Sequence, residues 1–245
     1  MPDMTRTKNV LITGGTGSVG KALVEAFSSS RYQITFTYVT NEKAAKQLEV
    51  DFEAKSIRLD LAASTTLTKA DIDILVNNVG INNSDAETHL VTDKDWNQTL
   101  RVNLTAAFEL SRQCLPRMLE KGWGRIINIS SIYGLRGIEG NLPYTVSKHG
   151  LSGLTKTIAK EYGKVGITCN EICPGPIDSD MMRRIAQRNA ASQTEQQYFA
   201  EVNDMIPAGR MARPNEIAEL AVFLASEAAA YINGASIPID GGLIA

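Results

Sequence analysis

The chain has 245 residues, 43% of them apolar and 21% charged, with a net charge of −2. That length and composition suit one large α/β domain, or two small ones, with ample core. The near-neutral charge gives no reason to expect nucleic acid or an anionic membrane as partner, and no apolar run approaches the ~18 residues of a membrane span.

In chain order, strand-like and helix-like segments alternate. Residues 8–13 read as a buried strand and 19–29 as a helix opened by glycines. Residues 33–39, aromatic and β-branched, predict a second strand, 41–50 a helix, 56–59 a short strand and 73–77 another. The apolar spacing of Trp96, Leu100, Leu104, Phe108, Leu115 and Leu119 predicts one long helix over 95–121, kinked at Pro116 and stopped by Gly122. A strand at 125–130, a helix at 143–162 with proline at its start, and a strand at 167–173 follow. A helix at 214–226 and a strand at 236–240 close the chain. Repeated β-α-β order predicts a Rossmann-like, doubly wound parallel sheet of about seven strands, covered by helices on both faces. Such sheets bind ligands at the carboxyl ends of their strands.

No secretory apolar core precedes Val10, and the cysteines are odd in number: Cys114, Cys169 and Cys173. Both facts predict reduced thiols in a cytoplasmic protein. Cys169 and Cys173, four apart in one strand, would lie roughly 13 Å from each other, too far for a disulfide. All three read as small core residues. With only His89 and His149, a histidine metal site or a Ser-His-Asp triad is not expected.

The first strand runs into Thr13-Gly14-Gly15-Thr16-Gly17-Ser18-Val19-Gly20 and then a helix. Gly15, Gly17 and Gly20 satisfy G-x-G-x-x-G between a strand and a helix, the context in which that motif cradles a pyrophosphate. Gly15, Gly20 and Lys21 also have nucleotide P-loop spacing, but Ala22 stands where a magnesium-binding hydroxyl is needed. An NAD-selective fold ends its second strand on an acid. Here Tyr38-Val39-Thr40-Asn41 carries none before Glu42, and Thr40, Asn41 and Lys43 suit a 2′-phosphate. NADP(H) is therefore expected, with NAD(H) the alternative.

Tyr144 and Lys148 share a helix face at i,i+4, and Ser131 ends a strand thirteen residues before Tyr144. With these the chain resembles the short-chain dehydrogenase/reductase family over nearly its whole length. The matching stretches are the glycine loop, Asp60-Leu61, Asn77-Asn78-Val79-Gly80, Asn103, Ser131, Tyr144, Lys148, the stretch Pro174-Gly175-Pro176-Ile177-Asp178-Ser179, and a tail through Asp240-Gly241-Gly242. The resemblance implies hydride transfer between a nicotinamide and a carbonyl/alcohol pair. It makes Tyr144 the general acid/base, with Lys148 lowering its pKa and binding the nicotinamide ribose. It makes Ser131 the substrate-oxygen ligand and Asn103 the anchor of a relay water. Gly14, Thr16, Gly17, Ser18, Val19 and Gly20 would hold the pyrophosphate, and Tyr38 and Thr40 would face the adenosine ribose. Asp60 and Leu61 would meet adenine, Asn77, Val79 and Gly80 the ribose side, and Pro174, Gly175, Ile177 and Ser179 the carboxamide. Tyr133 reads as pocket wall, and His149 as pointing away.

Two departures stand out. Ser18 replaces the glycine or alanine that single-domain members carry, which gives the T-G-x-x-G-x-x-G of the longer, epimerase-like members; those have a further substrate domain for which 245 residues leave no room. Only residues 61–76 lie between Asp60 and Asn77, too few and too threonine-rich at 62–70 for a good helix, so an irregular crossover is expected.

The segment 181–207 is polar with apolar anchors at Met181, Met182, Ile185, Tyr198 and Phe199. It reads as two amphipathic helices, and the family likeness makes it a substrate lid on a single domain spanning 1–245. The whole looks most like 3-oxoacyl thioester reductases. The substrate is then a small molecule or an acyl thioester, carried by CoA or a carrier protein. Hydroxy-acid, polyol or secondary-metabolite alcohol dehydrogenases, and a non-catalytic dinucleotide sensor, are the alternatives. Small residues along the helices 95–121 and 143–162 fit the family's homotetramers or dimers.

Overall fold

Strand β1 (Asn9–Ile12) sends Leu11 to one side of the sheet and Val10 and Ile12 to the other, all at most 1% exposed. That pattern belongs to strands buried on both faces, where each such side chain contributes about 1.5–3 kcal/mol. The computed structural model describes residues 7–30, 32–67, 71–188 and 194–245. Its other strands are β2 (Gln33–Tyr38), β3 (Lys55–Arg58), β4 (Ile74–Asn77), β5 (Gly124–Ile129), β6 (Ile167–Pro174) and β7 (Ser236–Ile239). All pair in parallel in the order β3-β2-β1-β4-β5-β6-β7. The order reverses between β1 and β4, so the cleft of a doubly wound sheet opens at the carboxyl ends of those two strands.

One core layer joins Val10, Ile12, Ile74 and Val76 to helix α1 (Ser18–Ser29), helix α2 (Glu42–Phe52) and, later in the chain, α8 (Pro214–Ala225). The opposite layer joins Leu11, Leu75 and Ile126 to α4 (Ala106–Lys121) and α5 (Leu142–Tyr162). Cys114 and Cys169 lie in this second layer; all three thiols are free and buried. The remaining helices are α3 (Asp93–Leu100), α6 (Asp180–Arg188) and α7 (Glu195–Met205).

The single helix expected over 95–121 is interrupted, and not at Pro116. A π-helical turn, Arg101–Thr105, separates α3 from α4, and α4 continues through Pro116 to a left-handed Gly122. Within that turn the Asn103 amide bonds the backbone of Ile81 across the fold. The short crossover holds no helix over 61–67, and 68–70 fall outside the described residues. Hydrogen bonds to α4 replace one: Leu67 N–H donates to Gln113 Oε1 at 3.0 Å and Gln113 Nε2 donates to Thr65 O at 2.8 Å. Among the described residues no helix is long and apolar enough to cross a membrane.

Candidate active site

The loop after β1 is built around Thr13. Its hydroxyl accepts the Asn78 and Val79 amides at 2.8 and 3.1 Å, and its carbonyl accepts Asn78 Nδ2 at 2.8 Å. The β1 and β4 loops are thus one rigid unit. Gly14 has φ +71°, and a Cβ there would sit 2.8 Å from the Val79 side chain. A Cβ on Gly20 would lie 2.0 Å from the Gly14 carbonyl, while one on Gly17 would meet nothing closer than 3.6 Å. The loop therefore requires Gly14 and Gly20, whereas Gly17 of the sequence motif is sterically free. Helix α1 opens here with no acidic residue of its own in the first turn. Its unpaired N–H groups give the cavity an anion-favouring end.

A cavity of about 940 Å³ runs from this loop along the strand ends to α6 and α7. Its wall includes Gly14, Thr16, Gly17, Ser18, Val19 and Gly20, then Tyr38, Thr40, Asp60 and Leu61. Val79, Gly80, Ser131, Tyr144, Lys148, Pro174, Gly175, Ile177 and Ser179 complete the set expected from sequence. Two expected residues stand apart. Asn77 is not on the wall: it is buried at the end of β4 and gives Nδ2 to Asn128 Oδ1 at 2.8 Å. Asn78, one residue on, reaches the wall instead. Asn103 lies behind the wall, 2% exposed. Its Oδ1 accepts the Ile81 N–H at 2.8 Å, and its Nδ2 donates to Ile81 O at 2.9 Å and to Ser147 Oγ at 3.0 Å.

Ser131, Tyr144 and Lys148 converge. Ser131 lies two residues past the end of β5 and accepts the Tyr133 amide at 3.1 Å. Tyr144 and Lys148 lie one turn apart on α5, with Lys148 Nζ 5.5 Å from the Tyr144 ring centre. Lys148 is 2% exposed and donates to Ile129 O at 2.8 Å. Burial pushes the Tyr144 phenol up to about 12, and a hydrogen bond with Ser131 opposes it. Burial pushes the Lys148 ammonium down to about 8, against the fields of Cys173 and Glu171. In the ligand-free fold desolvation is the largest influence on both groups. Tyr133 packs edge-on at 6.5 Å from Tyr144 and lines the cavity. His149 is exposed, its Nδ1 3.0 Å from Thr145 O. Ser130 is buried.

Arg184 of the polar lid segment and Arg136 of the stretch 134–137 both line the cavity and have no ion-pair partner among the described residues. Sequence reasoning missed Asp180, which meets Ser18 across the cleft.

The glycine cradle, the open helix end and the long cavity suit a dinucleotide sterically. A family model described as enoyl-(acyl carrier protein) reductase matches residues 14–244. Acetoacetyl-CoA reductase of Rhizobium meliloti (strain 1021) is 35% identical over 95% of this chain and 96% of that protein. The 3-oxoacyl-[acyl-carrier-protein] reductase of Aquifex aeolicus (strain VF5) is 33% identical over 95% and 96%. A solved variant of actinorhodin polyketide ketoreductase with NADPH superposes with a TM-score of 0.90 at 29% identity, covering 97% of both chains. With a matched family model, near-complete relatives and the serine, tyrosine and lysine brought to one wall, this chain belongs to the short-chain dehydrogenase/reductase family.

Proposed function

We propose that the chain is an NADP(H)-dependent oxidoreductase that reduces 3-oxoacyl thioesters at the C3 carbonyl. The observation that carries this reading is the convergence of Ser131, Tyr144 and Lys148 on one cavity whose other end is a glycine cradle. Likeness to acetoacetyl-CoA reductase along the whole chain supports the thioester. NADPH in the ketoreductase neighbour, and the missing acid at the end of β2, support NADP(H) over NAD(H).

A bound reduced nicotinamide supplies the hydride. Ser131 Oγ orients the carbonyl oxygen by a hydrogen bond. Tyr144, protonated at neutral pH, gives its phenolic proton to that oxygen. Lys148 keeps a positive charge beneath the ring as the proton leaves, and binds the neighbouring ribose hydroxyls. Asn103 fixes the loop at Ile81 and the α5 residue Ser147, so a relay water rests on its main chain rather than its committed amide. Asp60 and Leu61, which line the cavity, would hold adenine, Val79 and Gly80 the ribose, and Ile177 and Ser179 the carboxamide. The strand pairing at Ile177 and Ala212 holds this last loop in place.

The chain acts as a single catalytic domain with α6 and α7 as its substrate lid. Met182, Tyr198, Phe199 and Val202 of these helices form an apolar cluster with Met211 and Leu243, which suits an acyl chain below them. It works as a cytoplasmic homotetramer or dimer on CoA- or carrier-bound substrate. A second reading, oxidation of a hydroxy acid, is favoured by Arg136 and Arg184 at the cavity wall, which could take a carboxylate. Parallel assays with acetoacetyl-CoA and free acetoacetate, each with NADPH and NADH, decide. Rapid NADPH consumption with the thioester alone supports the first reading; turnover of the free acid alone supports the second.

A further inference from the structure

Resting on the NADP(H) reading above, we propose that Arg58 selects the phosphorylated over the unphosphorylated adenosine ribose. One residue first suited to that task, Asn41, is already occupied. Asn41 caps α2, its side-chain oxygen accepting the Ala44 amide at 3.1 Å. Glu42, the nearest acid, is turned to Lys46 at 2.9 Å. Lys46, with help from Arg58, holds the Glu42 carboxyl below its ordinary range. No carboxylate stands at the end of β2 to accept ribose hydroxyls.

Arg58 comes from the neighbouring strand. It is the last residue of β3, in register with Tyr38. Its Nε donates to Val39 O at 3.1 Å, which brings the guanidinium to the end of β2 beside Val39 and Thr40. Both of those residues line the cavity, as does Leu59, the next residue after Arg58. The guanidinium is exposed and has no ion-pair partner among the described residues. An edge-strand arginine that served only to blunt the edge would not need such a fixed position. This one is anchored through Nε, which leaves its terminal nitrogens as donors in the planar fork that pairs with phosphate oxygens. Thr40 adds a hydroxyl on the same rim.

The test measures dissociation constants of NADPH and NADH by quenching of protein fluorescence in the wild type, Arg58→Gln and Arg58→Lys. The expected result is an NADPH affinity weakened about tenfold or more in Arg58→Gln, NADH changed less than about twofold, and partial recovery in Arg58→Lys. The salt dependence of NADPH binding should flatten in Arg58→Gln. A wild type that prefers NADPH and an Arg58→Gln variant that keeps that preference would overturn the proposal while leaving the NADP(H) reading intact. Equal weakening of both dinucleotides would reduce Arg58 to a prop for β2 and overturn it too. A wild type without preference for NADPH would overturn the NADP(H) reading, and this assignment with it.

Discussion

The Ser18 hydroxyl bonds both the carboxylate and the backbone amide of Asp180, each at 3.0 Å, and so ties the phosphate loop to the first turn of α6. The serine that breaks the expected glycine pattern therefore turns its side chain across the cleft to the segment over the substrate. Ser18→Gly removes both bonds. At this exposed position their loss is worth about 1 kcal/mol, so amide hydrogen exchange in 180–188 should speed up about fivefold, with the core strands unchanged. Unaltered exchange there would mean that the pair does not hold α6.

Gly20 and Gly17 should respond in opposite ways. Alanine at 20 would place a methyl 2.0 Å from the Gly14 carbonyl, and at 17 it would meet nothing within 3.5 Å. Gly20→Ala is expected to abolish measurable NADPH binding and lower the melting temperature by several degrees. Gly17→Ala should bind within about threefold of the wild type. Titration of both variants with NADPH checks this.

Asn103→Ala removes the side-chain partner of both the Ile81 N–H and C=O at once, while Ser147 Oγ keeps its bond to Tyr144 O at 2.7 Å. Buried groups left unpaired cost about 1–3 kcal/mol each, so urea unfolding should shift down by at least about 2 kcal/mol. Asn103→Asp, which keeps the acceptor for Ile81 N–H, should recover part of the loss.

The charge state of Lys148 gives stability a definite pH slope. Its pKa falls from 10.5 in the unfolded chain to about 8 in the fold, so between those values the unfolded chain binds more protons. Stability of the ligand-free protein then rises with pH across that window, by at most about 3 kcal/mol. Tyr144 acts oppositely: its pKa rises from 10.0 to about 12, so the stability it contributes is lost as pH climbs through that higher range. Denaturation from pH 8 to 10 should show the rise in the wild type and lose it in Lys148→Met. The same slope in both would contradict the desolvation of Lys148.

Most of the sheet was legible because strands buried on both faces read as apolar runs, and the glycines, prolines and Tyr144/Lys148 spacing marked the turns and the site. What was not legible depended on contacts between distant segments. The π-helical turn at Arg101–Thr105 holds Asn103, which reaches Ile81 across the fold, a contact that no local periodicity encodes. Asn77 and Asn78 are chemically alike, and only the end of β4 decides which of them faces the cavity. Arg58 looks like an ordinary charge on an edge strand until the β2–β3 register brings it beside Val39. The shift of Tyr144 follows from desolvation at the cavity wall, which its position in a motif does not reveal.

The most direct test of the account is hydride transfer itself. Acetoacetyl-CoA is incubated with NADPH in which both hydrogens of the reactive nicotinamide carbon are deuterium, in the wild type and in Tyr144→Phe, and the product is analysed by mass spectrometry. The account predicts one deuterium at C3 of 3-hydroxybutyryl-CoA in the wild type, and product formation reduced at least about a hundredfold in Tyr144→Phe. Undiminished turnover in Tyr144→Phe, or product without deuterium, would contradict it.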